Sequence, residues 1–195
     1  ENGVEQYVRD ARIAQIYEGT NGVQAMDLVG RKLPMNGGRA LQALLKIIAT
    51  EVADAKAEPK LAAFAEALEK ATGQLQAATM WLMQNALAKP DNAGAASTDY
   101  LHLFGLVTLG YMWARMAKVA QDKLAEGGDQ AYLKTKLVTG KFFVERMLPE
   151  TSLRQLADEH DKTLGVDWHG HRDRDRHTGD GAKAHGRRNG GEKCL

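Results

Sequence analysis

One cysteine, Cys194, serves all 195 residues, so no internal disulfide framework is available and packing must supply the stability. So little cysteine agrees with a reducing compartment, and a cytoplasmic location is expected. No apolar run is long enough to span a bilayer, and no basic-then-apolar leader opens the chain, so no membrane partner is expected. Charge of one sign is also missing: 26 basic residues against 25 acidic leave a formal net charge of +1, which excludes a global attraction to nucleic acid or anionic lipid. Sustained period-two alternation flanked by hairpin turns is absent too, and no sheet is expected. The four prolines are Pro34, Pro59, Pro90 and Pro149. Initiator methionine is lacking at Glu1, so the sequence reads as a piece of a longer protein.

What is present is helix. With 44% hydrophobic content the chain can bury a sizeable core. Val4, Tyr7, Val8 and Ala11 recur at helical spacing opposite Arg9, Asp10 and Arg12, predicting an amphipathic first helix that frays near Ile13 to Tyr17. A second helix runs through Gln24, Met26 and Val29, with Thr20 or Asn21 as its cap. Pro34 to Gly38 is a linker signal and sets a boundary. From Arg39 to Ala57, Leu41, Leu44, Leu45, Ile48, Val52 and Ala55 form one stripe. Pro59 fits the first turn of the next helix, which should reach about Leu87. In it Leu61, Phe64, Leu68, Ala71, Leu75, Ala78 and Leu82 alternate steps of three and four, a seam suited to shallow-angle packing. Gly73 is its weak point.

Lys89 to Ala96 reads as a loop, after which Ser97 or Thr98 caps a helix apolar on nearly every side from Leu101 to Val119. Such a helix belongs in the middle. Gly127 and Gly128 end it, Asp129 caps the next, and a pattern through Leu133, Leu137, Phe143, Val144, Met147 and Leu148 continues to Pro149. A short helix from Thr151 or Ser152 should reach His160. The expected fold is therefore an all-α helical bundle. Residues 165–195 are rich in Gly, Arg and His and poor in apolar residues, which predicts a disordered tail.

The candidate chemistry lies in Arg9 to Leu33, around Glu18-Gly19-Thr20. Gly19 permits backbone angles that other residues resist, so a carboxylate is held in a break between two helices. The helix start beyond it carries partial positive charge, which suits a phosphate or an electron-rich ring edge. From local pattern alone Glu18 also reads as an ordinary surface acid in a turn. The stretch RDARIAQIYEGTNGVQAMDLVGRKL, however, closely resembles the C-terminal catalytic segment of the acyl-CoA dehydrogenase family. The match includes Arg9-Asp10-Ala11-Arg12-Ile13, the Ile16-Tyr17 before the acid, and Gln24 four residues beyond Thr20.

That resemblance implies that Glu18 removes the proton alpha to a thioester carbonyl while the beta hydrogen leaves as hydride to FAD, giving a trans-2-enoyl-CoA. It also implies that Gly19 touches the acyl-CoA substrate and that Thr20, Asn21, Gly22 and Gln24 contact the flavin. Gly22 departs from many short-form members, which carry a side chain there, so only backbone contact remains. Ile16, Tyr17 and Val23 are the apolar neighbours that would desolvate Glu18 and strengthen it as a base. Residues 39–164 resemble the helical C-terminal extension of the larger members, including relatives acting on 3-methylmercaptopropionyl-CoA. The division expected is 1–33 as the end of the catalytic helical domain, 39–164 as the extension and 165–195 as the tail. An acceptor of the electron-transfer flavoprotein type and a homodimer or homo-oligomer of the full-length protein follow from the same likeness. The flavin-binding domains of the family are not within this stretch.

Other signals are weaker. His169, His171, His177 and His185 lack companion carboxylates or thiolates on ordered elements, and no metal site is expected. Arg172, Arg174 and Arg176 alternate with Asp173 and Asp175, without aromatics for base stacking, so no nucleic-acid partner is expected. His102 reads as a hydrogen-bonded bundle residue, and Met80, Trp81 and Met83 as core. Two readings of different class stand: part of an FAD-dependent acyl-CoA dehydrogenase, or a non-catalytic assembly module unable to bind flavin alone.

Overall fold

The computed structural model describes residues 3–17, 19–86 and 90–160, and these contain no strand. The expected all-α bundle is the fold. Its α-helices are α1 (Glu5–Ile16), α2 (Thr20–Asp27), α3 (Arg39–Lys56), α4 (Ala62–Asn85), α5 (Pro90–Ala125), α6 (Gln130–Phe142) and α7 (Thr151–His160).

The core is built on α4 and α5. Every member of the three-four seam of α4 is buried, with Leu61, Leu68 and Leu75 at 0% exposure. Each such side chain contributes about 1.5–3 kcal/mol by leaving water. Thr79 Oγ1 meets Tyr100 OH at 2.7 Å, and Leu68 lies against Gly110 farther along, so the two helices run antiparallel. From α5, Tyr100, Leu103 and Val107 complete the centre. α3 packs on α4 through Ile48, Val52 and Ala55, while α7 touches both α4 and α5. Gly140 lets α6 come close: a Cβ there would stand 3.0 Å from the Phe64 ring and 3.1 Å from Trp113. Trp113 in turn stacks on Phe143, with ring centroids 6.3 Å apart.

Polar groups lock the last helix. Thr151 Oγ1 donates to Gln74 Oε1 at 2.6 Å, and Gln74 Nε2 donates to Ser152 Oγ at 2.8 Å. Arg154 donates to Asp99 at 2.6 Å and to Glu150 at 2.6 Å, tying α7 to α5. The hydrogen bond it donates to Asp99, then that to Glu150, pushes the Arg154 guanidinium still higher than usual. Asp129 caps α6 as expected, accepting from the Ala131 and Tyr132 amides at 3.0 and 3.1 Å.

Several expectations need correction. α1 does not fray from Ile13 but stays helical to Ile16, where the extended Tyr17 ends it. Pro59 is not in the first turn of α4; it sits in a turn before the cap at Leu61. The supposed loop at 89–96 is helix from Pro90 onward, because proline is well suited to a first helical position and Asp91 in the first turn favours the dipole. Asn92 Nδ2 donates to the Asn85 carbonyl at 3.4 Å, closing the end of α4. Ser97 is accordingly no cap; it is 2% exposed and donates to the Gly94 carbonyl at 3.0 Å. His102 lies exposed on α5 rather than bonded within the bundle. Met80 and Met83 are not core but 56% and 64% exposed, whereas Trp81 packs partly buried against the core. No described helix is long and apolar enough to cross a membrane. The tail, with His169, His171, His177 and His185, lies outside the described residues.

Candidate functional site

The break between α1 and α2 is made by backbone chirality. Gly19 adopts φ 75° and ψ −5°, the left-handed region that a residue with a Cβ enters at a cost, and it is the N-cap of α2. Neither Thr20 nor Asn21 caps this helix, and no side-chain cap bond forms; the Val23 amide instead reaches the Gly19 carbonyl at 3.1 Å. The Thr20 amide turns back to the Tyr17 carbonyl at 3.3 Å, which closes the turn. Glu18 itself lies outside the described residues, between an exposed Tyr17 and an exposed Gly19.

α2 has two faces. Ala25, at 0% exposure, turns inward, followed just past the end of α2 by Val29 at 9%, and α2 packs on α5. Asn21, Gly22 and Gln24 are exposed on the outer side, and Thr20 is half-buried. Nothing lies within 4 Å of a Cβ built at Gly22, so a flat ligand could approach its backbone closely. The far end is fixed by Asp27, which accepts from Arg31 Nη2 at 2.8 Å and pairs with Lys32 Nζ at 3.3 Å. The Arg31 hydrogen bond, with help from Lys32, holds the Asp27 carboxyl down at about 2. Beyond it the helix widens by one residue, the Leu33 amide bonding to the Leu28 carbonyl at 2.9 Å, and carries Val29 onto the core.

The structure therefore brings Gly19, Thr20, Asn21, Gly22 and Gln24 together on the first turns of one outward-facing helix. It does not bring an apolar enclosure with them. Ile16 is 68% exposed, Tyr17 66% and Val23 65%, so these three side chains form no apolar enclosure among the described residues. The described grooves lie elsewhere, one between α5 and α7 and one between α5 and α6. The second was not anticipated. Leu109, Met112, Met116 and Val119 repeat the same three-four spacing found on α4, a signal submerged in a helix apolar on nearly all sides.

The family profile described as "Acetyl-CoA dehydrogenase C-terminal like" matches residues 44–165. The chain is similar to the 3-methylmercaptopropionyl-CoA dehydrogenase of Ruegeria pomeroyi, with 36% identity over 167 residues, covering 84% of this chain and 28% of that protein. It is also similar to the broad-specificity linear acyl-CoA dehydrogenase FadE5 of Mycobacterium tuberculosis, 29% identical over 83% of this chain and 28% of that protein. A butyryl-CoA dehydrogenase of Syntrophomonas wolfei is 31% identical over 73% of this chain and 24% of its own length. The chain thus spans about a quarter of the length of these curated relatives.

Proposed function

This chain belongs to the acyl-CoA dehydrogenase family, and from that premise we propose that it forms the C-terminal portion of an FAD-dependent acyl-CoA dehydrogenase whose base is Glu18. The observation that carries this reading is the left-handed Gly19 turn, which interrupts the helices beside the acid and presents the start of α2 outward. Glu18 would take the proton alpha to the thioester carbonyl. FAD, where bound, supplies the acceptor for the beta hydrogen, and the product is a trans-2-enoyl-CoA. Gly19 would approach the acyl-CoA. Thr20, Asn21, Gly22 and Gln24 fit one edge of a flavin: polar side chains and a bare backbone at a helix start suit its ring-edge acceptors and phosphates. They make an edge and not a whole site, so the remaining walls come from outside these residues. Electrons would pass on to an acceptor of the electron-transfer flavoprotein type, and the full-length protein would be a homodimer or homo-oligomer.

The exposure of Ile16, Tyr17 and Val23 favours the second reading for the isolated chain, a helical assembly module with no activity of its own. An ionised carboxylate in open water is too weak a base for an alpha proton, and enclosure is what raises its strength. In the protein that carries this chain together with its flavin-binding part, Glu18→Gln should lower acyl-CoA-dependent reduction of an artificial acceptor by about 10²–10⁴ fold. Undiminished turnover in that variant would overturn the assignment of the base. The 195 residues purified alone should be colourless and inactive; a yellow preparation would refute the missing-wall reading.

A further inference from the structure

A groove runs between α5 and α6, open along its length. Its floor is apolar, with Met112, Met116, Val119 and Leu133. Met112 is 45% exposed, Val119 51%, and Tyr132, on the α6 side, 58%. Arg115, Lys123 and Lys136 rim it, and no carboxylate lines it. Lys136 leans over the Tyr132 ring at 5.4 Å, and neither it nor Lys123 forms an ion pair among the described residues. Arg115 pairs loosely with Glu51 at 3.9 Å and donates to Tyr111 OH at 3.3 Å, yet its side chain stays 57% exposed.

From this we infer that the groove docks an amphipathic helix of a partner polypeptide, with large apolar anchors on one face and Asp or Glu along its edges. The inference does not rest on the catalytic reading. Met112, Met116 and Val119 repeat at three-four spacing, and the stretch from Met112 to Lys123 rises about 16 Å, room for roughly three turns of a helix laid alongside. Arg115 and Lys123 stand about 12 Å apart along α5, so one anionic head group cannot serve both, whereas acids spaced along a helix can. An open trough also leaves most of a lone alkyl chain wet, unlike small-ligand sites, which enclose most of their ligand. A second copy meeting the groove about a two-fold axis would set its own cations against each other. Methionine is suited to such a floor because its flexible, polarisable side chain adapts to the anchors it meets.

The test uses the 195-residue chain and two fluorescein-labelled synthetic helices with the same leucine face, one edged with Glu and the other with Lys. The Glu-edged helix should bind and weaken with added salt, and the Lys-edged helix should not bind. The double variant Lys123→Glu, Lys136→Glu lies on the rim and leaves the core untouched. It should weaken the Glu-edged helix about tenfold or more and admit the Lys-edged one. On the unaltered chain, labelled methionine methyl resonances of Met112 and Met116 should shift on titration, which needs no variant. Equal binding of both helices, an affinity indifferent to the double variant, or methyl shifts confined to other methionines would overturn the inference. So would a dimer by light scattering that Val119→Asp splits, or rim-dependent binding to phosphatidylglycerol vesicles with no binding of the Glu-edged helix.

Discussion

Replacing Gly19 and Gly22 by alanine separates backbone chirality from helix propensity at the start of α2. At both sites nothing lies within 4 Å of the added Cβ, so no contact is made or broken. Gly19 sits at φ 75°, where a residue with a Cβ costs about 1–2 kcal/mol, offset by ~0.4–1 kcal/mol because alanine has less freedom to lose on folding. A net loss of about 1 kcal/mol remains. Gly22 is helical, and alanine there should gain about 0.5–1 kcal/mol. Since α2 is tied to α5 through the fully buried Ala25, the effects should reach global unfolding. At about 2–4 °C per kcal/mol for a chain of this size, the two variants should melt roughly 3–8 °C apart, on opposite sides of the parent. Gly19→Asn should fall between Gly19→Ala and the parent, because asparagine tolerates the left-handed region. Calorimetry, with amide exchange at the Val23 N–H as a local readout, measures both. If Gly19→Ala melts no lower than the parent, the turn beside Glu18 is not held by chirality and the geometry assigned to the site fails.

Leu75, fully buried in the α4 seam, should cost about 3 kcal/mol when cut to alanine, read as a lower urea midpoint at unchanged slope. Gly140→Ala should destabilise by about 1–3 kcal/mol through overpacking against Phe64 and Trp113, while Gly73→Ala, helical with no atom within 4 Å of the new Cβ, should stabilise by up to about 1 kcal/mol. Equal effects at these two glycines would contradict the packing of α6. Asp27, lowered from 3.8 to about 2 by Arg31 and Lys32, contributes stability that is fully present above pH 3.8 and lost as the pH falls through 2. The gap in urea midpoint between the parent and Asp27→Asn should therefore be widest near neutrality and close in that window; a gap unchanged at pH 2 would show that the pair does not form.

Periodicity makes much of this bundle legible in the sequence. The seam from Leu61 to Leu82 is buried at every position, and the stripe of α3 turns inward at Ile48, Val52 and Ala55, because three-four spacing admits only one face of a helix to a core. Asp129 was readable as a cap because a glycine pair precedes it and its short carboxylate reaches the first free amides of the helix that follows. Pro90 was misleading for the opposite reason: proline, aspartate, asparagine and glycine in one cluster suit a loop and also the first turn of a helix, and only packing against α4 decides between them. His102 falls on a helix apolar on nearly every side, which offers the sequence no single face to orient, whereas Met80 and Met83 lie off the α4 seam, and that seam already places them outside.

By itself, then, the order of residues determined the helical class, the seam of α4 and the glycine joint beside Glu18, since spacing and chirality are local properties of a chain. Tertiary structure alone decided which of the two apolar stripes of α5 is covered. Tyr100, Leu103, Val107 and Ala114 went inside because α4 lies against that side, and Leu109, Met112 and Val119 stayed half open because α6 flanks that side as a groove wall without covering it. A stripe's hydrophobicity records only that it favours burial; which stripe is buried depends on where the neighbouring helices run.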